Sequence, residues 1–220
     1  MDFILEHRNW LSKDWATILF VVSFALIAIT KTFFEVRFNE FLKLLVTDKY
    51  IKIYKDPSHM TSWFNVSLFF VQLISFSFFI LIVLNFFGLA LKTDLVKYIQ
   101  ISTLLGFFVL SKYLIEKIIA TSFNIEDFME QFNLQKVSYR TFIGLILLPI
   151  NIILFYNDVN SSLLIFAILA ILLIANALTY LIILKSHQSL LLSKMFYFIL
   201  YLCALEIVPY YLMYYWFTRR

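Results

Sequence analysis

Long apolar runs separated by short polar connections make up most of this chain. A helix needs about 20 apolar residues to cross the hydrocarbon core of a bilayer. Six runs meet or approach that length: residues 15–34, 63–91, 95–120, 142–156, 163–184 and 190–216. The runs are continuous, whereas strands of a membrane β-barrel alternate apolar and polar residues. The pattern predicts an all-α, polytopic integral membrane protein with about six transmembrane helices.

Two of the connections show the spacing of amphipathic helices. In residues 34–45, Phe38 and Phe41 recur on one face, and Arg37 and Lys43 lie away from it. Apolar residues at such intervals form a stripe along one side of a helix. The spacing predicts an interfacial helix on the inner leaflet, with Arg37 and Lys43 on its polar face and its lysines near anionic headgroups. The alternative is a cytoplasmic extension of the first span that packs on its neighbours.

The second amphipathic connection precedes the fourth apolar run. Asn124 can cap a helix there, and the acidic residues Glu126, Asp127 and Glu130 suit its first turns. No histidine is near these carboxylates in the sequence, and their spacing fits a solvated acidic face better than a metal site. This connection predicts a short amphipathic helix and no bound metal.

Lysine and arginine are distributed unevenly between the connections. Residues 31–62 carry six of them, whereas residues 156–162 carry none. Because cytoplasmic loops are enriched in Lys and Arg, this bias predicts that the first connection is cytoplasmic. Lys136 and Arg140 then also lie inside, and both termini lie outside.

The composition agrees with a chain embedded in a bilayer. Of 220 residues, 62% are hydrophobic and 15% are charged, and the mean hydropathy is +0.87. Soluble domains carry about 25% charged residues. The chain has only 3 Gly and 3 Pro, which favours long helices and short connections. We expect a single helical transmembrane domain over residues 1–220, without a cleavable signal peptide.

Polar residues within the predicted spans are the first candidates for function, because they are costly at membrane depth. Lys112 and Glu116 lie one turn apart, which allows a local ion pair. Glu116 also lies near the predicted helix end, where its side chain can reach the interface. Asn151 and Asn176 supply neutral polar groups in later spans.

The last apolar run contains the least expected residues. In YLCALEIVPYYLMYYWF, residues 201–217, Glu206 and Pro209 interrupt an apolar and aromatic stretch. Pro209 cannot donate to the carbonyl four residues earlier, and its ring crowds that group. Two interpretations stay open. Either a neutral Glu206 closes a helix kink, or Glu206 faces a proton path, a ligand or a partner protein.

Proline and aromatic residues add two structural predictions. Pro149 and Asn151 repeat the combination of a proline with a nearby polar side chain, so two kinks either frame a polar cavity or mark independent packing features. An aromatic belt at the outer interface is predicted for the end of the last run, at Tyr214, Tyr215 and Trp216.

Motifs of common catalytic and cofactor sites are absent from the sequence. There is no Walker loop, no paired-histidine zinc spacing and no G-x-S-x-G elbow. The histidines are scattered, and Cys203 has no histidine nearby in sequence to act as its base. The sequence predicts no cofactor and no nucleic-acid partner, and it favours a protein that is not an enzyme.

Residues 200–209 read LYLCALEIVP, and GLILLPINIILFY lies upstream of them. With the six-span layout, these segments make the chain resemble a bacterial domain-of-unknown-function family of multi-span inner-membrane proteins. The last span of that family carries a Leu-Tyr-Leu-Cys-x-x-Glu-x-x-Pro pattern. The resemblance implies a bacterial inner-membrane location and supplies no activity, substrate or cofactor.

The leading hypothesis for function is a non-catalytic subunit or accessory factor of a larger membrane complex. The candidate processes are envelope biogenesis and protein export, and the expected partners are the lipid bilayer and other inner-membrane proteins. The alternative is a small proton-coupled transporter or channel that uses Glu206, with Lys112 and the Asn residues along the path. A membrane-embedded enzyme is the third hypothesis, and the sequence offers no recognisable nucleophile or metal set for it.

Overall fold

The computed structural model describes residues 13–45, 50, 53–54, 62–122, 126–157 and 162–186. These residues contain α-helices and one 3₁₀ turn and include no β-strand, so the predicted all-α fold is confirmed for this part of the chain. The helices are α1 (Asp14–Phe33), α2 (Glu35–Leu42), α3 (Trp63–Phe86), α4 (Leu95–Ser122), α5 (Glu126–Tyr156) and α6 (Ser162–Ser186), and the 3₁₀ turn Lys43–Leu45 follows α2.

Five helical segments in the described residues are long and apolar enough to cross a bilayer. They are Asp14–Phe33, Trp63–Phe86, Leu95–Ser122, Met129–Tyr156 and Ser162–Thr179. The first five predicted spans therefore correspond to helices, as expected of a multi-pass membrane protein. The sixth predicted span, residues 190–216, lies outside the described residues.

The connection between α3 and α4 begins earlier than predicted, because α3 ends at Phe86. Gly88 adopts φ 72°, a left-handed conformation that glycine reaches without a steric penalty. Its N–H donates to the carbonyl of Asn85, and the N–H of Leu89 donates to that of Leu84. This pair of bonds is the Schellman arrangement, which satisfies the last carbonyls of a helix and stops it.

The largest difference from the sequence prediction is the start of α5. The predicted span begins at residue 142, whereas α5 runs without interruption from Glu126 to Tyr156. The predicted short amphipathic helix and the fourth predicted span are therefore one helix. The polar residues before position 142 resemble a loop by hydropathy, but most of them are buried against neighbouring helices.

Helices α3 and α5 form the centre of the bundle and make the most extensive contacts with each other. In the most apolar stretch of each helix, 50% of residues are buried in α3 and 44% in α5, against 11% in α4 and 6% in α6. The periphery of the bundle is therefore apolar and exposed, as expected where lipid is the solvent.

Two clusters of buried apolar residues lie at opposite ends of this bundle. At the end that carries α2, which we call the α2 end, Phe41 packs in one cluster with Phe64 of α3 and Phe132 of α5. At the opposite end, Phe20 of α1 packs in the second cluster with Phe155 of α5. Because α3 and α5 both start at the α2 end, they run parallel to each other.

Candidate functional site

The interior of the bundle contains many polar side chains, and they concentrate where α3, α4 and α5 meet. Those with at most 7% of their surface exposed on these helices are Gln72, Ser75, Ser77, Lys112, Glu116, Asn133, Gln135, Lys136, Ser138, Thr141 and Asn151. A buried polar group is costly unless it is hydrogen-bonded or paired. The partners of these residues therefore decide whether they serve packing or chemistry.

A buried ion pair joins α4 to α5. The Nζ atom of Lys136 lies 2.7 Å from Oε1 of Glu116, and both side chains are almost fully buried. Lys136 also lies near an aromatic face, with Nζ 5.6 Å from the ring centre of Phe132. Lys112 is buried one turn before Glu116 on α4. We call the contact between Glu116 and Lys136 the α4–α5 ion pair.

This contact adds to what the sequence predicted for these two residues. Glu116 was expected near the interface or paired with Lys112, and Lys136 was expected in a cytoplasmic connection. The structure buries Glu116 and gives it Lys136 as an ion-pair partner. The cause is the early start of α5, which turns the predicted connection into a helix packed against α4.

A second polar contact region, the α3–α5 seam, consists of Gln72, Ser75, Thr141, Gly144 and Asn151. The Thr141 hydroxyl donates to Oε1 of Gln72 at 2.8 Å. The Asn151 amide donates to the carbonyl of Ser75 at 2.7 Å and contacts its hydroxyl at 3.3 Å. A Cβ at Gly144 would lie 3.2 Å from the Cα of Gln72, so this glycine permits the close approach of the two helices.

Pro149 and Asn151 do not line a common cavity. Asn151 is fully buried in the α3–α5 seam, whereas Pro149 is exposed on the outer side of α5. Residues two positions apart lie on nearly opposite sides of a helix. The other kink that such a cavity would need, at Glu206 and Pro209, lies outside the described residues, so the choice between a polar cavity and independent packing features stays a prediction.

Asn176 does not join the interior network. It is half-buried on α6, and its amide donates to the carbonyl of Leu172 in the preceding turn at 2.9 Å. Thr179 bonds its own helix in the same way, through the carbonyl of Ala175. Side chains that bond their own helix in this manner need no partner from another element.

Arg37 departs from the prediction for α2. It was expected on the polar, interfacial face of this helix, but it is only 7% exposed. Its guanidinium donates to the Ser62 hydroxyl at 2.9 Å and lies over two rings, 4.5 Å from the centre of Phe64 and 4.6 Å from that of Tyr54. Such cation–π contacts gain strength when water is excluded. Lys43, the other residue predicted at the interface, is exposed.

Tyr50 connects this arginine to the bundle. Its hydroxyl accepts a long hydrogen bond of 3.5 Å from Arg37 and also bonds Ser138 of α5. Burial raises the pKa of Tyr50 above its ordinary value, and the positive charge of Arg37 opposes part of that rise. Tyr50 therefore remains protonated at neutral pH and can donate a hydrogen bond.

The remaining site predictions lie outside the described residues. They are Glu206, Pro209, Tyr214, Tyr215 and Trp216. Within the described residues, no group of three or more His, Cys, Asp or Glu side chains could hold a metal ion.

Sequence reasoning missed Lys136, Thr141 and the close packing at Gly144. A signal for the first was present, because Phe132, Lys136 and Tyr139 continue one helical face into the predicted span. Their partners on α3 and α4 are distant in sequence, and no local pattern identifies them.

The chain matches a known protein family. A family model described as a domain of unknown function, DUF4271, covers residues 16–217. No curated protein and no solved structure matches the chain. The expected resemblance to a family of unknown function is confirmed, whereas its bacterial origin and its C-terminal motif stay predictions.

Proposed function

This chain belongs to the DUF4271 family, and we propose that it is a non-catalytic subunit or accessory factor of a larger membrane complex. The main support for the proposal is that its interior polar side chains join the helices to one another. Asn151, Thr141 and Glu116 each bond a neighbouring helix and hold the bundle together. A catalytic group must instead reach a substrate.

The outer surface supports the same proposal. α4 and α6 expose long apolar faces, with Phe107 of α4 exposed by 75% and Leu173 of α6 by 70%. In a bilayer such faces meet lipid or the helices of another protein, and neither contact requires chemistry. A small bundle with peripheral helices of this kind is suited to lateral association.

Site-specific photo-crosslinking tests this proposal in native membranes. A benzophenone amino acid is placed at Leu173, at Phe107 or at Ile29 of α1, which is 52% exposed. We expect one face to crosslink a defined membrane protein, and that protein to retain the chain when it is itself purified in mild detergent. Crosslinks to lipid alone at all three positions, with recovery of the chain as a monomer or homo-oligomer, would contradict the proposal.

The α4–α5 ion pair favours one second candidate, a proton-coupled transporter or channel. Ionisable side chains buried within membrane spans frequently belong to proton relays, and Glu116 is 2% exposed. Proteoliposomes loaded with a pH-sensitive dye test this candidate under an imposed potassium diffusion potential. It predicts proton uptake above that of empty vesicles and its loss in Glu116→Gln or Glu206→Gln. Uptake equal to that of empty vesicles would eliminate it.

The cellular setting is also part of the proposal. The family resemblance supports a bacterial inner membrane, and envelope biogenesis or protein export are the processes in which such a subunit would act. Membrane fractionation of the native cell tests the location, because an outer-membrane or soluble fraction would contradict it. Identification of the crosslinked partner tests the process.

A further inference from the structure

The α2 end carries an exposed surface that the bundle does not explain. Three large apolar side chains are exposed there: Phe33 at the end of α1 is 79% exposed, Val36 of α2 is 74% exposed, and Trp63 at the start of α3 is 79% exposed. We call this set the α2 collar. It differs from the apolar face predicted from the sequence, because Phe38 and Phe41 pack into the core instead.

The position of the collar indicates what covers it. α2 starts two residues after α1 ends, and α1 is one of the candidate membrane spans. Trp63 is the first residue of the next candidate span. The collar therefore lies where two spans leave the hydrocarbon core, and tryptophan is enriched at that level of a bilayer.

The charges beside the collar favour an anionic surface. Lys31 and Lys43 are exposed on either side of α2; of the two acidic residues between them, Glu35 is exposed and Glu40 is half-buried. Arg37 is buried and donates to Ser62, whereas Lys31 and Lys43 are exposed. Amphipathic elements that combine exposed apolar residues with lysines bind anionic headgroups at an interface.

We propose that the α2 collar, together with Lys31 and Lys43, is a contact site for anionic phospholipid headgroups. The apolar residues enter the boundary between headgroups and acyl chains, and the lysines draw phosphate-bearing anionic lipids to that position. A lysine near an anionic membrane surface strengthens binding by about fivefold. The site is a property of the bundle itself and does not depend on a partner protein.

Lipid-selective fluorescence quenching tests the proposal in the full-length chain. Val36→Cys carries a bimane label in a Cys203→Ser background, and the protein is reconstituted in vesicles with brominated phosphatidylglycerol or brominated phosphatidylcholine. We expect stronger quenching by the brominated phosphatidylglycerol. In Lys31→Gln/Lys43→Gln the difference between the two lipids should fall to near zero.

Two controls separate local selectivity from general effects. Lys117 is exposed on α4 near the same end, and Lys117→Gln should leave the preference unchanged. A label at Ile29→Cys, within the span α1, should be quenched equally by both lipids. Equal quenching of the Val36 label by both lipids, or no quenching by either, would overturn the proposal.

Discussion

The α4–α5 ion pair yields the sharpest prediction for stability. Lys136→Met leaves the carboxylate of Glu116 buried, with 2% of its side chain exposed and its contact with Lys136 removed. Breaking one side of a buried ion pair costs about 3–5 kcal/mol, because the remaining charge stays in a low-dielectric site. A typical hydrogen bond between membrane helices contributes only about 0.6 kcal/mol. The two magnitudes differ enough for one measurement to distinguish them.

A double-mutant cycle measures this coupling. The variants are Lys136→Met, Glu116→Leu and the double variant, and the assay is equilibrium unfolding in mixed detergent micelles, followed by tryptophan fluorescence and circular dichroism. Replacing both charges by apolar groups is often neutral. We therefore expect the loss in free energy of unfolding for the double variant to be smaller than the sum of the two single losses by at least about 2 kcal/mol.

The control for this cycle is the neighbouring residue Lys117, which is exposed. Lys117→Met should change the free energy of unfolding by no more than about 0.5 kcal/mol. Additive losses in the free energy of unfolding for the two single variants, or a loss below about 1 kcal/mol for each, would contradict a strong coupling between Glu116 and Lys136. Either result would mean that the carboxylate finds water or another partner once Lys136 is gone.

Three further substitutions test other contacts in the same unfolding assay. Gly144→Val should lower the free energy of unfolding by about 1–3 kcal/mol, because the added side chain forces α3 and α5 apart. Gly106→Ala should lower it clearly less, because the new methyl group meets only the flexible end of a leucine side chain. Tyr98→Phe should be neutral or stabilise by about 1 kcal/mol, since its buried hydroxyl has no partner among the described residues; a clear loss of stability would show that it has one. Arg37→Lys should cost about 2 kcal/mol, because an ammonium cannot reproduce the planar stacking on two rings, and an unchanged midpoint would contradict the assigned role of Arg37.

The spans could be predicted from the sequence because lipid is their solvent. α1, α3, α4 and α6 show long apolar runs, and the ends of α1, α4 and α6 coincide closely with changes in polarity, whereas α3 ends at Phe86, before its apolar run does. α5 shows where this reasoning fails. Its first turns contain Asn133, Gln135 and Lys136, which hydropathy assigns to a loop, although other helices bury all three. A hydropathy scale assumes exposure to lipid or water and does not describe polar groups enclosed by protein.

The candidate site was less predictable than the fold, because its contacts join distant parts of the chain. Glu116 and Lys136 are 20 residues apart, and Gln72 and Thr141 are 69 apart. The prediction for Arg37 fails for a different reason. The amphipathic pattern predicts that charged side chains face away from the core. The aromatic rings and hydroxyls that surround the buried guanidinium come together only when the first connection folds.

The parallel arrangement of α3 and α5 has a consequence for biogenesis. During synthesis α3 enters the membrane before α5 exists. Gln72 therefore lacks its hydrogen bond from Thr141 until α5 is inserted. α3 is strongly apolar, which offsets that early cost. α4 is less apolar than α3 and enters with Lys112 and Glu116 before Lys136 is present. The bundle is therefore completed late, when α5 supplies the partners for both earlier helices.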